Sequence, residues 1–403
     1  MKTASLVLAI VTAPIITACG SDKHEVRALT PQETALVQSS NSFGFSFFKE
    51  AVSESDNGNL FVSPLSVSMA LGMTYDGAAG MTEQGMRKAL VFGDLTTDQI
   101  NESYQSLIAL LTGMDPKVTM EIANSIWYRD GLNVLDTFIA TVEKYFDAVV
   151  QALDFADPAS VDVINGWVND KTNGKIPTII DAPIDSSTMM YLINAIYFKG
   201  TWTQKFDVDQ TADATFHAPA GDKTVKMMSL DVGVAYLSND DFQAVDLPYG
   251  DGLFSMMVIL PNAGHDIDAV AAELNDANWS AWLASLMPEE VQLQLPRFEL
   301  TYDTVLNDML IAMGMTDAFS STAADFSGID GQKDLFISEV KHKTFVKVDE
   351  EGTEAAAVTS VKMQATTIRA NPMIVDHPFL FVIHDNHSQA LLFMGKMVDP
   401  DSN

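Results

Sequence analysis

The stretch TEAAAVTSVKMQAT, residues 353–366, follows Asp349-Glu350-Glu351-Gly352 and contains neither Gly nor Pro. A surface loop normally carries such punctuation. Read at alternate positions, one face holds Thr353, Ala355, Ala357, Thr359, Val361, Met363 and Ala365. The other holds Glu354, Ala356, Val358, Ser360, Lys362 and Gln364. The first face is small or apolar throughout, and the second carries every charge. That is the period-two pattern of a half-buried strand, with its smallest residues first. An ordinary strand, or a helix favoured by Ala and Glu, accounts for the pattern equally well. Nothing intrinsic to the segment says that it moves.

The chain around it has 403 residues, 47% of them apolar, enough to bury a sizeable core. Acidic residues number 54 against 23 basic ones, a net charge of -31. Such a surface repels phosphate backbones, so nucleic acid is excluded as a partner, and heparin-like polyanions are disfavoured.

The first residues read as an export signal. Lys2 precedes the apolar run Leu6 to Ile16, which is too short to span a bilayer. Ile16-Thr17-Ala18-Cys19 then resembles a bacterial lipobox, and Cys19 is the sole cysteine. An ordinary signal peptide with an incidental Cys is the competing reading. The expectation is a lipoprotein signal peptide over 1–18, lipidation at Cys19 and a flexible tether over 19–35. The protein is then exported and anchored to the cell envelope. Gly20, rather than Asp, follows the Cys, which favours the outer membrane over the inner, with surface exposure open. A lone Cys excludes internal disulfides.

Beyond the tether no linker, repeat or membrane-length apolar run interrupts the chain, so one large domain is expected over 36–400. Helical spacing covers 35–51, 65–74, 138–146 and 162–172, with Ser63-Pro64 as a helix entry and Gly174 as a stop. Strand patterns cover 190–198, 254–260, 291–295 and 345–349. Two more apolar runs, 379–383 and 390–398, flank a turn at 384–388. The near-continuous run 254–260 suits a strand buried on both faces. Helices early and strands late indicate an α+β class.

Several blocks of the sequence decide among α+β folds. They include Asn59-Leu60-Phe61-Val62-Ser63-Pro64-Leu65-Ser66-Val67, Asn165-x-Trp167 and Thr172-x-Gly174-Lys175-Ile176. Asn194-Ala195-Ile196-Tyr197-Phe198-Lys199-Gly200-x-Trp202 and Glu350-Glu351-Gly352-Thr353-Glu354-Ala355-Ala356-Ala357 are the most specific. Asp376-His377-Pro378-Phe379 and Phe393-Met394-Gly395-Lys396 complete the set. In this order they resemble the serpin family over nearly everything after residue 35.

The resemblance implies a large mixed β-sheet with helices, further sheets and an exposed reactive-centre loop at about 352–377. It implies a suicide inhibitor of serine-type endopeptidases, with cysteine endopeptidases as further targets, and not an enzyme. The protease forms an acyl-enzyme at the loop. The cleaved loop then inserts as a new central strand and traps it. The implied hinge is Gly352, Thr353, Ala355 and Ala357. The implied scissile bond is Thr366-Thr367, with Met363 and Arg369 as rival bait residues. Ser63, Ser66, Asn194 and His342 match the family's shutter, and Trp202 its breach. The expected partner is a protease held covalently by a monomer, with the membrane reached through the N-terminal lipid. No cofactor is implied. A non-inhibitory serpin acting as a binding or chaperone-like protein is the alternative, followed by a secreted hydrolase. Against the hydrolase stands the lack of a Gly-x-Ser-x-Gly elbow. His384 and His387 lie three apart, but at a turn and without Cys, so no metal site is expected.

Overall fold

A computed structural model describes residues 26–55, 58–354 and 371–401. The N-terminal half forms α1 (Pro31–Glu54), β1 (Leu60–Val62), α2 (Pro64–Tyr75), α3 (Gly80–Ala89) and α4 (Thr97–Gly113). There follow β2 (Val118–Arg129), α5 (Asp136–Phe146), β3 (Val149–Leu153), α6 (Ala159–Lys171) and β4 (Met190–Thr201). Five strands come next: β5 (Ala212–Ala218), β6 (Gly221–Ser238), β7 (Phe242–Tyr249), β8 (Phe254–Pro261) and, after two short helices, β9 (Met287–Pro296). The chain closes with β10 (Phe298–Val305), β11 (Lys341–Asp349), β12 (Gly352–Thr353), β13 (Asn371–Ile374), β14 (Phe379–Asp385) and β15 (Leu391–Met397).

The strands make two sheets. One has six strands in the order β10-β11-β12-β4-β2-β3. The other follows β1-β15-β14-β8-β7-β6-β9-β13, with β5 added to β6. The apolar run of β8 is buried at every position because β7 and β14 flank it and the core covers both faces. In β9, Val291, Leu293 and Leu295 are buried as the alternation requires. The β14-β15 hairpin turns at residues 386–390. There the Asp385 carboxylate accepts from the backbone N–H groups of His387 and Ser388, each at 2.8 Å.

Ordered structure starts before residue 36. Thr30 and Glu33 form a capping box on α1, and Arg27 pairs with Glu33. The tether therefore does not extend to residue 35, because a cap with a reciprocal side-chain bond fixes the helix start further upstream. Among the described residues no helix is long and apolar enough to cross a membrane.

The six-stranded sheet is covered on both faces. On its inner face α2 is buried along nearly its whole length. On its outer face α6 brings Val161, Ile164 and Val168 against Trp127 of β2 and Ile193 of β4, a separate apolar cluster. α6 ends through Thr172, Asn173 and Gly174, the last two at positive φ, as the sequence stop at Gly174 implies. This turn carries Lys175 back towards the sheet.

Candidate functional site

The site is built on the pairing of β11, β12 and β4. After β11 the chain turns at Glu350-Glu351 and re-enters the sheet as β12. Val348 pairs with Thr353 and Asp349 with Gly352 on one side. Thr201 pairs with Gly352 and Gly200 with Thr353 on the other. Among the described residues no ladder joins β11 directly to β4. The two hinge residues thus stand between the upper ends of strands that otherwise flank a gap. The sequence reading of an exposed loop over 352–377 is corrected at both ends. Gly352 and Thr353 are strand residues, and Asn371–Ile374 form β13, parallel to β9. The correction is physical: both ends have ladder partners that satisfy their backbone groups.

Gly352 has no substitute here. Its φ is +148, and a Cβ would sit 2.0 Å from the Gly200 carbonyl oxygen. Thr353 is 2% exposed, and its Oγ1 lies 2.6 Å from the Tyr249 hydroxyl. Trp202 stacks on Tyr249 at 4.4 Å between centroids. Its indole Nε1 donates to the Asp349 carbonyl at 3.0 Å, and its own N–H donates to the Glu351 carbonyl at 2.9 Å. Trp202 therefore holds the turn that leads into β12. Glu350, 3% exposed, accepts from Arg297 Nε at 2.7 Å and from the Thr211 hydroxyl. A buried carboxylate survives there because it is paired and hydrogen-bonded.

The second group lies lower on the same strands. Ser63 caps α2, with its Oγ accepting from Ser66 N–H at 3.3 Å and donating to the Leu392 carbonyl at 2.7 Å. Ser66 Oγ donates to the Asn194 carbonyl at 3.4 Å. Asn194 Nδ2 donates to Asn124 Oδ1 at 2.8 Å, and Asn124 Nδ2 donates to the Phe146 carbonyl at 2.7 Å. Asn194 Oδ1 is buried with no hydrogen-bond partner.

His342, 5% exposed, pairs with a backbone group rather than with a side chain among the described hydrogen bonds. Its Nε2 accepts from the Ser63 backbone N–H at 3.0 Å. The reason is topological: β11 and β4 belong to opposite sides of the gap, so His342 and Asn194 each find partners on their own side. Accepting at Nε2 requires the neutral tautomer protonated at Nδ1. Burial pushes the imidazole down from 6.5 to about 4.

A pH dependence follows. Because the folded pKa is depressed, the stability that His342 contributes is present above about pH 6.5 and is lost as pH falls towards 4. At ~1.36 kcal/mol per pH unit, the loss approaches about 3 kcal/mol. Urea unfolding at pH 7.5 and pH 4.5 checks this. The wild type is expected to lose more stability than His342→Gln over that interval, and equal losses contradict it.

The register of β12 fixes what the gap would receive. Val348 and Gly200 face Thr353. Each further residue in the same register steps down both strands by one. Residue 355 would then meet Val346 and Phe198, and residue 357 would meet Thr344 and Ile196. Residue 359 would fall between His342 and Asn194, so these two residues share one rung across the gap. Ala355, Ala357, Met363, Thr366, Thr367, Arg369 and Cys19 lie outside the described residues. His384 Nε2 faces Asp246 and His387 Nε2 faces the Arg27 carbonyl, so these two rings point to separate partners.

The structure is a mixed two-sheet fold in which Gly352 and Thr353 sit between two strands, β11 and β4, of the six-stranded sheet. The family description "Serpin (serine protease inhibitor)" matches residues 38–400. A leukocyte elastase inhibitor of Xenopus laevis is 37% identical over 91% of this chain and 99% of its own length. Human Serpin B8 is 35% identical over 91% of this chain and 99% of its own. The native-state structure of Tengpin, a thermophilic serpin, superposes with a TM-score of 0.83 at 30% identity, covering 93% of this chain and 96% of its own. This chain belongs to the serpin family, whose members include protease inhibitors.

Proposed function

We propose that the protein is an irreversible inhibitor of serine-type endopeptidases, with cysteine endopeptidases also within reach. It is consumed in the reaction and turns nothing over. The observation that carries this reading is the seating of Gly352 and Thr353 at the mouth of the gap between β11 and β4. The sequence that follows places small or apolar residues at every inward position down to the His342–Asn194 rung.

In this reading the protease nucleophile attacks the carbonyl of Thr366. The new ester holds the segment up to Thr366, and the amine of Thr367 leaves. The freed segment then enters the gap, with β12 as its first rung, and draws the protease along before water can deacylate it. The Thr366-Thr367 bond suits the small and medium pockets of elastase-like and subtilisin-like enzymes. Met363 suits chymotrypsin-like enzymes and Arg369 trypsin-like ones. Inhibition by a leukocyte elastase inhibitor relative accords with the first class. In the same reading the chain acts as an exported monomer, tethered to the cell envelope through a lipid on Cys19, the outer membrane preferred.

The test is incubation with a panel of serine and cysteine proteases. A covalent complex stable in SDS is expected with an elastase-like member, with a released peptide beginning at Thr367. A peptide beginning at Gln364 or Ala370 moves the bait to Met363 or Arg369. Cleavage without complex across the whole panel supports the non-inhibitory alternative instead.

A further inference from the structure

Glu354 is the last described residue before the segment that would insert, and its placement is unusual in three ways. Its side chain is 3% exposed, its φ is +60, and its Oε1 has no aligned hydrogen-bond donor. Positive φ in a non-glycine residue needs compensation from its surroundings. The nearest cation is Lys175 Nζ, 3.1 Å from Oε1. That ammonium also lies 4.8 Å from the centroid of the Phe345 ring. The Tyr197 phenol is pushed up first by burial and then by the Glu354 carboxylate, which places it against the same group.

The register shows where this cluster stands. Glu354 N–H still donates to the Lys347 carbonyl at 3.1 Å, so its backbone is on the next rung below Thr353. Lys347 and Lys199 share that rung. Phe345 and Tyr197 belong to the rung of residue 356, two steps lower, on the outer face of the sheet that α6 covers. With its left-handed backbone, Glu354 departs from strand geometry, and its carboxylate lies at the outer mouth of the rung ahead of it. Lys175, delivered by the turn after α6, sits over that mouth. Residue 356 cannot take its place until the carboxylate leaves.

We propose that Glu354, held by Lys175 against Phe345 and Tyr197, is a latch that stops the hinge at two inserted residues. The latch delays spontaneous loop insertion and keeps the inhibitor in its active form. Release requires Glu354 to adopt extended φ and its carboxylate to leave Lys175. Lys347 and Lys199 flank its own rung and offer the charge a second pairing once it moves. Lys175 and Glu354 are thus positioning residues for insertion, and neither touches the protease. The inference rests on the insertion reading proposed above.

The test compares wild type with Lys175→Met, Lys175→Arg and the near-isosteric Glu354→Gln, each incubated without protease at a temperature below unfolding. The readout is the rate at which inhibitory activity is lost while the chain remains uncleaved and becomes more heat-resistant. Lys175→Met and Glu354→Gln are expected to convert about tenfold faster than wild type, the size of one partly buried ion pair. The double variant should be no faster than either single one, and Lys175→Arg should convert at the wild-type rate. Wild-type rates in both Lys175→Met and Glu354→Gln overturn the latch, provided that loop-cleaved wild type gains heat resistance. If loop-cleaved wild type gains none, the insertion reading itself falls, and the latch falls with it.

Discussion

Thr353→Arg is expected to convert the protein from an inhibitor into a substrate. Thr353 is 2% exposed, and its hydroxyl meets that of Tyr249. The ring of Tyr249 is itself pinned beneath Trp202. An arginine at this position would bury an unpaired charge in an aromatic wall, at a cost of several kcal/mol. β12 would leave the sheet, and the cleaved loop would have to drive that charge back in before insertion could proceed. Deacylation then wins the race. The bond should be cut at a rate close to wild type, since the bait lies many residues away. The yield of SDS-stable complex should fall by about tenfold or more, a change of ~1.4 kcal/mol or more in the partition. Titration of protease activity against inhibitor measures this directly. An unchanged yield would show that inhibition does not need residue 353 seated in the sheet.

The second large effect concerns the cleaved form. Cutting the loop without trapping, by a protease that attacks beyond residue 360, should raise the melting temperature by roughly 7–20 °C. The reason is the length of the gap. Continued down the gap in the β12 register, residues 354–360 would lie between Lys347–Lys341 of β11 and Lys199–Ile193 of β4. Seven residues gaining a strand on each side, at ~1 kcal/mol net per residue, contribute on the order of 7 kcal/mol before side-chain burial. For a domain of this size each kcal/mol moves the midpoint by roughly 1–3 °C. Thr359→Val provides an internal control. In the inserted register residue 359 stands beside Asn194, whose buried Oδ1 lacks a donor. The threonine hydroxyl can supply one and valine cannot. The variant should lose about 1–3 kcal/mol of the gain while leaving the uncleaved protein unchanged. A calorimetric comparison of the four species decides both points.

Much of this was readable from the chain, and the exceptions share a cause. Local patterns carried the elements. The continuous apolar run of β8 predicts burial on both faces, and Ser63-Pro64 predicts the start of α2, because both signals act over a few residues. The alternation after Gly352 marked a strand-compatible segment. It did not show that two residues are already seated, since that depends on Gly200 and Thr201 offering a partner edge from far away in the chain. The long-range partners were invisible for the same reason. Tyr249 meets Thr353 across 104 residues, and Arg297 meets Glu350 across 53. No spacing rule connects such pairs. Lys175 was legible only as part of a turn block, and Glu354 only as an outward charge. Their meeting depends on how the turn after α6 lies over the sheet. His342 matches the family's shutter by resemblance, yet its partner is a backbone N–H of Ser63, a group that sequence alone does not distinguish from any other.

The central claim is that the segment after Thr353 becomes a strand between β11 and β4. Hydrogen–deuterium exchange on the protein before and after loop cleavage tests it most directly. New amide protection is expected together in residues 355–360, in 341–347 of β11 and in 193–199 of β4, with little change in the nine-stranded sheet. Cleavage that leaves exchange in β11 and β4 unaltered would contradict the account.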